Sequence, residues 1–301
     1  MNIHIYDNIS ERTYNFSVQS VSYIIDETNR VEYILKGNYA KLWEIIAKTQ
    51  DYDLAENYAQ ELGLADDFIF FISELKKYKL ISVNIDLPEN KKTYFTTKIK
   101  RKDANYEYFY KYKYVIKHTE FPLDKISLLL SYKCNLNCIH CCNHKNQNEI
   151  EIPADKAIKI IDQAYNLGID IVVFTGGECT ISKNFLKIAK FVRSKHLKLI
   201  IITNGQRISE DNEFFNEIIK LYPHEIQVSL YSMNPDVHDS ITGQKGSHSK
   251  TLNAILLNNS SIPVLFKADV NLKIAPISFA NFLASSSDTC SSLYKSYLLP
   301  T

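Results

Sequence analysis

Cys134-Asn135-Leu136-Asn137-Cys138-Ile139-His140-Cys141 follows closely on the apolar run Ile126-Ser127-Leu128-Leu129-Leu130, and this stretch decides how the rest of the chain is read. The spacing is C-x3-C-x2-C on one short loop after a strand. Three thiolates so placed can converge on three corners of an iron–sulfur cube. The spacing offers no fourth protein ligand, so one iron is left open to a small molecule, as in a catalytic rather than a structural metal site. Two other readings stay open on the residues alone. Cys134, Cys138 and Cys141 with His144 make a Cys3His zinc set, and free cysteines also pack well in cores. The asparagines and lysines around them argue against a core. Cys142 is given no ligand role.

Downstream, short apolar runs recur at Ile171–Phe174, Leu199–Ile202, Ile226–Leu230 and Val264–Val270. Such runs predict parallel strands covered on both faces. The second, third and fourth start roughly 28 residues apart, the length of one βα unit. Between them lie amphipathic helices. The clearest begins with Pro153 at its first position, carries Ala157, Ile160, Ile161 and Ala164 on one face, and ends at Gly168. The fold class predicted is α/β, a partial parallel (β/α) barrel. Thr175-Gly176-Gly177-Glu178 follows the second strand, Thr203-Asn204-Gly205 the third, and Ser229 and Tyr231 the fourth. Each motif alone is an ordinary turn. Together they gather at the C-terminal ends of the strands, where parallel α/β barrels build their active sites.

Upstream, residues 1–85 predict a small α+β domain of their own. Val21–Ile25 and Val31–Leu35 flank Asp26-Glu27-Thr28-Asn29 as a hairpin. Helical spacing follows at Leu42, Ile45 and Ile46, at Leu54, Tyr58, Ala59 and Leu62, and at Phe68, Phe71, Ile72 and Leu75. Leu80–Ile85 returns as a strand, which completes a winged-helix-like unit. Residues 86–125 form a Lys/Tyr-rich linker, with Lys98, Lys100, Arg101, Lys102, Lys111 and Lys113 among Tyr106, Tyr108, Tyr110, Tyr112 and Tyr114. Basic residues interleaved with aromatics can hold a nucleic acid. A connector with packed tyrosines and solvated lysines is the preferred reading, because no nucleic-acid fold surrounds it.

Lys+Arg 35 against Asp+Glu 34 leaves a net charge of +1, so no global field points to nucleic acid or membrane. The start lacks a signal-peptide pattern, and no apolar run approaches the roughly 20 residues that cross a bilayer. The chain is expected to be cytoplasmic. Four of six cysteines fall between Cys134 and Cys142, a clustering that suits metal or redox chemistry better than a disulfide framework.

The cysteine triplet, the Gly-Gly-Glu segment and the barrel period resemble the radical S-adenosylmethionine superfamily. The resemblance implies a 4Fe–4S cluster on Cys134, Cys138 and Cys141, with S-adenosyl-L-methionine chelating the open iron. It places Gly176, Gly177 and Glu178 at the cofactor's methionine and ribose end, Asn204 and Ser229 as further contacts, and His140 near the adenine. Gln227–Tyr231, His238-Asp239, Thr242-Gly243 and Gly246 resemble the peptide-modifying, maturase-like branch. The N-terminal unit resembles the leader-recognition domains fused to such maturases, which add a leader peptide as a strand at the hairpin edge. The helix through Phe68, Phe71 and Leu75 would flank that groove, although these aromatics also suit the domain's own core.

By this resemblance the chain abstracts hydrogen from a ribosomally synthesised precursor peptide, with electrons from a flavodoxin or ferredoxin. Alternatives are a leader-binding escort without catalysis and a nucleic-acid-modifying radical enzyme. The resemblance covers residues 20–85 and 126–270. The superfamily's barrel has a sixth strand that cannot be placed here, and residues 281–301, with Ser285-Ser286-Ser287 and Ser291-Ser292, form an atypical tail. A C-terminally shortened barrel is therefore expected, with the domain ending near residue 280. Cys290 is the only cysteine after Cys179, whereas maturases with cluster-binding extensions carry many more. Cys179 stands where many relatives have proline and is expected to be a packed thiol.

Overall fold

A computed structural model describes residues 1–15, 19–100, 125–141, 150–257 and 265–268. Cys142, His144, Cys290, the tail and the Lys/Tyr run from 101 to 124 lie outside the described residues.

The strands predicted in the second half form one parallel sheet. These strands are β7 (Lys125–Leu129), β8 (Ile171–Thr175), β9 (Lys198–Thr203), β10 (Glu225–Val228) and β11 (Leu265–Ala268). They lie side by side in chain order. Register is continuous, with Lys125 opposite Ile171, Ile171 opposite Lys198 and Glu225 opposite Ile200. Helices Ala154–Asn166, Phe185–Ser194 and Asn212–Lys220 bury their apolar faces against Leu128, Phe174, Leu199, Ile201 and Val228. Ile171, Val173 and Ile200 form a smaller cluster on the other side of the sheet. The first of these helices starts one residue later than its sequence suggests. Pro153 keeps an extended ψ of 137° and caps it from outside.

The N-terminal unit contains more strands than its sequence suggests. It begins β1 (Ile3–Ile5), β2 (Ile9–Asn15), β3 (Ser20–Asp26) and β4 (Val31–Lys36). It continues through α1 (Asn38–Thr49), α2 (Tyr52–Glu61), α3 (Ala65–Lys77), β5 (Ile81–Val83) and β6 (Thr97–Lys100). The predicted hairpin is β3–β4, its turn held by Asp26, whose carboxylate accepts from the Thr28 and Asn29 amides at 3.0 Å. The hairpin is not a free edge. The sheet order is β2-β3-β4-β6, so both sides of the hairpin are paired within the chain. The strand expected from Leu80 to Ile85 shortens to β5 and pairs with β1 instead. Tyr94 and Phe95 join the N-terminal core, so residues up to Lys100 pack with that unit where a linker was expected. Lys98 lies 3.9 Å over the Tyr78 ring, a cation–π contact within the unit.

This unit docks at the N-terminal ends of the parallel strands, through buried polar groups. Arg193 is 7% exposed and donates to Ser10 Oγ, Leu197 O, Asp7 O and Ile9 O at 2.6–3.0 Å. Glu27 receives His224 Nδ1 at 2.9 Å and Arg30 at 3.1 Å. Burial works to raise the Glu27 pKa, but His224, Arg193 and Arg30 together bring it down to about 2. Paired buried charges of this kind are costly to break singly.

Glu11 behaves in the opposite sense. It is buried on β2 and accepts only a 3.2 Å bond from Trp43 Nε1, and burial lifts its pKa to about 7. An acid raised from 4.5 to about 7 loses its contribution to stability as pH climbs through that window. Glu11→Gln keeps the acceptor and removes the charge. It should therefore stabilise the chain on the order of 3 kcal/mol at pH 8 and make little difference at pH 4.5. Urea melts of both proteins at the two pH values check this. Equal midpoint shifts at both would contradict it.

Candidate functional site

The root of the cysteine loop is gripped on two sides. Past β7, Tyr132 N donates to Ile150 O at 3.1 Å, while Gly177 N donates to Ser131 O at 2.7 Å and Glu178 N to Lys133 O at 2.9 Å. Here the paired glycines find their structural use. A Cβ on Gly176 would meet Ser131 O at 2.4 Å, and one on Gly177 would meet Tyr132 O at 2.4 Å and Lys133 O at 2.5 Å. No larger residue lets the two backbones run this close. The middle of the loop is pinned from another direction. Asn137 N donates to Thr242 O and Ile139 N to Ile241 O, at the end of helix Pro235–Thr242. Gly243 beyond it passes Asn137 O where a Cβ would lie 2.7 Å away. The Thr242-Gly243 motif thus works as a support for the cysteine loop.

Glu178 is nearly fully buried, at 2% exposure. Its Oε1 accepts from Thr180 N (3.0 Å), Thr180 Oγ1 (2.6 Å) and Thr203 Oγ1 (2.8 Å), and its Oε2 accepts from Asn204 N (2.7 Å). The carboxylate ties the loop after β8 to the loop after β9. Asn204 then reaches the cysteines, its Nδ2 donating to Asn135 Oδ1 at 2.7 Å and lying 3.9 Å from Cys134 Sγ. The Leu136 amide approaches the same sulfur at 3.4 Å. Cys179 is a packed thiol, buried and donating to Ile202 O at 3.1 Å, as its place after Glu178 suggests.

The three loop cysteines are half-buried and free. Burial raises the Cys134 thiol, opposed by the Leu136 amide. Cys138 is pushed up to about 12, by burial first and then by Cys134 and Cys141. Among the described residues, no group of three His, Cys, Asp or Glu side chains closes on a single metal ion.

The sequence motifs alone do not reveal the aromatic wall beside the loop. Tyr231 stands beside Cys138 and Ser229, and burial raises its pKa. The His140 ring stands 4.7 Å from it, edge on. Behind it, His238 Nδ1 accepts the Tyr231 amide at 3.2 Å, which makes His238 the Nε2–H tautomer, and His238 lies 5.5 Å from His248. The structure therefore gathers Cys134, Cys138, Cys141, His140, Asn204 and Ser229 at one end of the sheet. Gly176, Gly177 and Glu178 lie directly beneath the loop.

Residues 128–269 match the model of the radical SAM superfamily. The chain is 32% identical over 142 residues to the antilisterial bacteriocin subtilosin biosynthesis protein AlbA of Bacillus subtilis, covering 46% of this chain and 31% of that one. Mycofactocin maturase MftC of Mycolicibacterium smegmatis is 28% identical over 127 residues, 42% of this chain and 32% of its own. An AdoMet-dependent heme synthase of Methanosarcina barkeri is 28% identical over 147 residues, 48% of this chain and 40% of its own. The matches thus span less than half of each of these curated relatives. The crystal structure of Streptococcus suis SuiB bound to precursor peptide SuiA covers 95% of this chain and 61% of that chain, with a TM-score of 0.49 and 18% identity. Among the described residues no helix is long and apolar enough to cross a membrane.

Proposed function

We propose that the chain is a radical SAM enzyme acting on a ribosomally synthesised precursor peptide, with a 4Fe–4S cluster held by Cys134, Cys138 and Cys141. One observation carries this reading: a three-thiol loop held by main-chain hydrogen bonds at the C-terminal end of a parallel sheet. Bound there, cluster and S-adenosyl-L-methionine supply reductive cleavage of the cofactor and a radical that abstracts hydrogen from the peptide. The chain's own residues orient and shield. Asn204 and the Leu136 amide direct N–H groups at Cys134, and Tyr231 directs its hydroxyl at Cys138, which moderates the charge on the sulfurs. Ser229 and His140 line the open side as cofactor contacts. Gly176 and Gly177 present backbone at that wall, and Glu178 fixes the two loops that carry it.

The peptide reading is supported by the bacteriocin biosynthesis and maturase relatives and by the stretch from Gln227 to Gly246. In this reading the parallel sheet is part of a radical SAM barrel within 126–280. The N-terminal unit is a winged-helix-like leader-recognition domain, predicted as 1–85, and residues 86–100 belong with it. A flavodoxin or ferredoxin supplies the electron, and the setting is cytoplasmic.

Anaerobic reconstitution with iron and sulfide tests the proposal. About four irons per chain are expected, with 5′-deoxyadenosine formed when dithionite and the cofactor are added. Zinc in place of iron, or an iron-loaded protein that never cleaves the cofactor, would overturn it.

A further inference from the structure

The outer edge of β4 is where an added strand would extend the N-terminal sheet, and the chain already fills it. Thr97–Lys100 pairs antiparallel with Val31–Ile34, and Thr96 donates both its amide (2.8 Å) and its hydroxyl (3.0 Å) to Ile34 O. Just upstream, two adjacent aromatic side chains pack into the unit's core, Phe95 between β4 and the end of α3 and Tyr94 between α1 and α3. The Phe95 ring lies 4.8 Å from Tyr33 and 5.7 Å from Tyr78. The Tyr94 ring lies 4.8 Å from Tyr39 and 5.5 Å from Phe71. The Tyr94 amide donates to buried Glu74 at 2.8 Å. Main-chain pairing combined with pocketed side chains is how a sheet edge captures an extended peptide.

We propose that the β4–α3 groove is a peptide-binding site and that residues 94–100 are its resident occupant, which an incoming extended peptide displaces. The proposal rests on the leader-recognition reading above and adds a self-occupied ground state to it. The peptide that fits carries two adjacent aromatic residues followed by a short strand. A four-residue edge strand bearing exposed Lys98 is a weak fixture compared with the seven-residue β2–β3 pairing. Its advantage is covalent attachment, which gives it an effective concentration in the millimolar range. A free peptide must compete against that, so its apparent affinity falls by the fraction of chains with the groove open.

The probe is a fluorescent synthetic peptide of the chain's own residues 92–102, titrated into the full-length protein and into Phe95→Ala. At least about tenfold tighter binding to the variant is expected, since a competitor has been weakened. Equal or weaker binding overturns the proposal. Hydrogen exchange on the unmodified protein provides a measurement that does not depend on the variant folding. Saturating peptide should remove protection from 94–100 while 31–34 stays protected. Unchanged protection of 94–100 overturns the proposal as well. Neither readout needs iron or cofactor, so failure here is distinguishable from failure of the radical reading.

Discussion

Gly177→Ala should cost about 3 kcal/mol of stability, and the variant should not take up iron. The added methyl would sit 2.4 Å from Tyr132 O and 2.5 Å from Lys133 O. Both obstacles are backbone, so no rotamer change relieves them, and overpacking of this kind typically costs 1–3 kcal/mol or somewhat more. The clash falls where Gly177 N bonds Ser131 O and Glu178 N bonds Lys133 O. Relief therefore means peeling the root of the cysteine loop from the loop after β8. Urea melts and iron analysis after reconstitution give the two readouts. A variant with the parent's melting midpoint and a full iron complement would show that the two backbones can separate without consequence.

Cys138→Ala separates the two effects. Iron should fall from about four per chain to near zero, while the metal-free protein melts as the parent does. The loop is anchored around Cys138 by main-chain bonds, Asn137 N to Thr242 O and Ile139 N to Ile241 O, which the substitution leaves in place. The side chain it removes is a half-buried thiol beside Tyr231, so the metal-free fold loses only that small contact. Metal analysis, the visible absorbance of the cluster and a thermal melt decide it. Full iron loading in this variant would remove Cys138 from the ligand set. A metal-free protein that no longer folds would show that the thiol itself holds the loop.

Local pattern made the parallel half of the molecule legible. All five apolar runs from Ile126 onward became neighbouring strands within one or two residues of the expected bounds; β8 and β9 are continuous apolar segments because they are buried on both faces. The helix from 154 was equally plain from its 3.6-residue period. Strands β1 and β2 have no such signature in the sequence. Ile9–Asn15 contains Ser10, Glu11, Arg12 and Thr13, polar residues whose partners come from distant segments such as Trp43, Glu27 and Tyr165. The same holds for Thr97–Lys100, whose strand state depends on β4 some sixty residues earlier.

By itself the sequence determined which residues carry sulfur chemistry, their spacing on one loop, and the strand period that sends the motifs to one end of a sheet. These are local properties, fixed by side-chain type and by the repeat of the backbone. Only the tertiary structure decided what each motif residue does there. It showed that Gly176, Gly177 and Gly243 make room for the cysteine loop's backbone, that Glu178 is spent on four donors from two loops, and that Tyr231 stands against Cys138. It also showed that the hairpin edge is already taken by the chain's own strand. Each of these is a contact between segments far apart in sequence, set by how whole elements pack, and no local spacing encodes it.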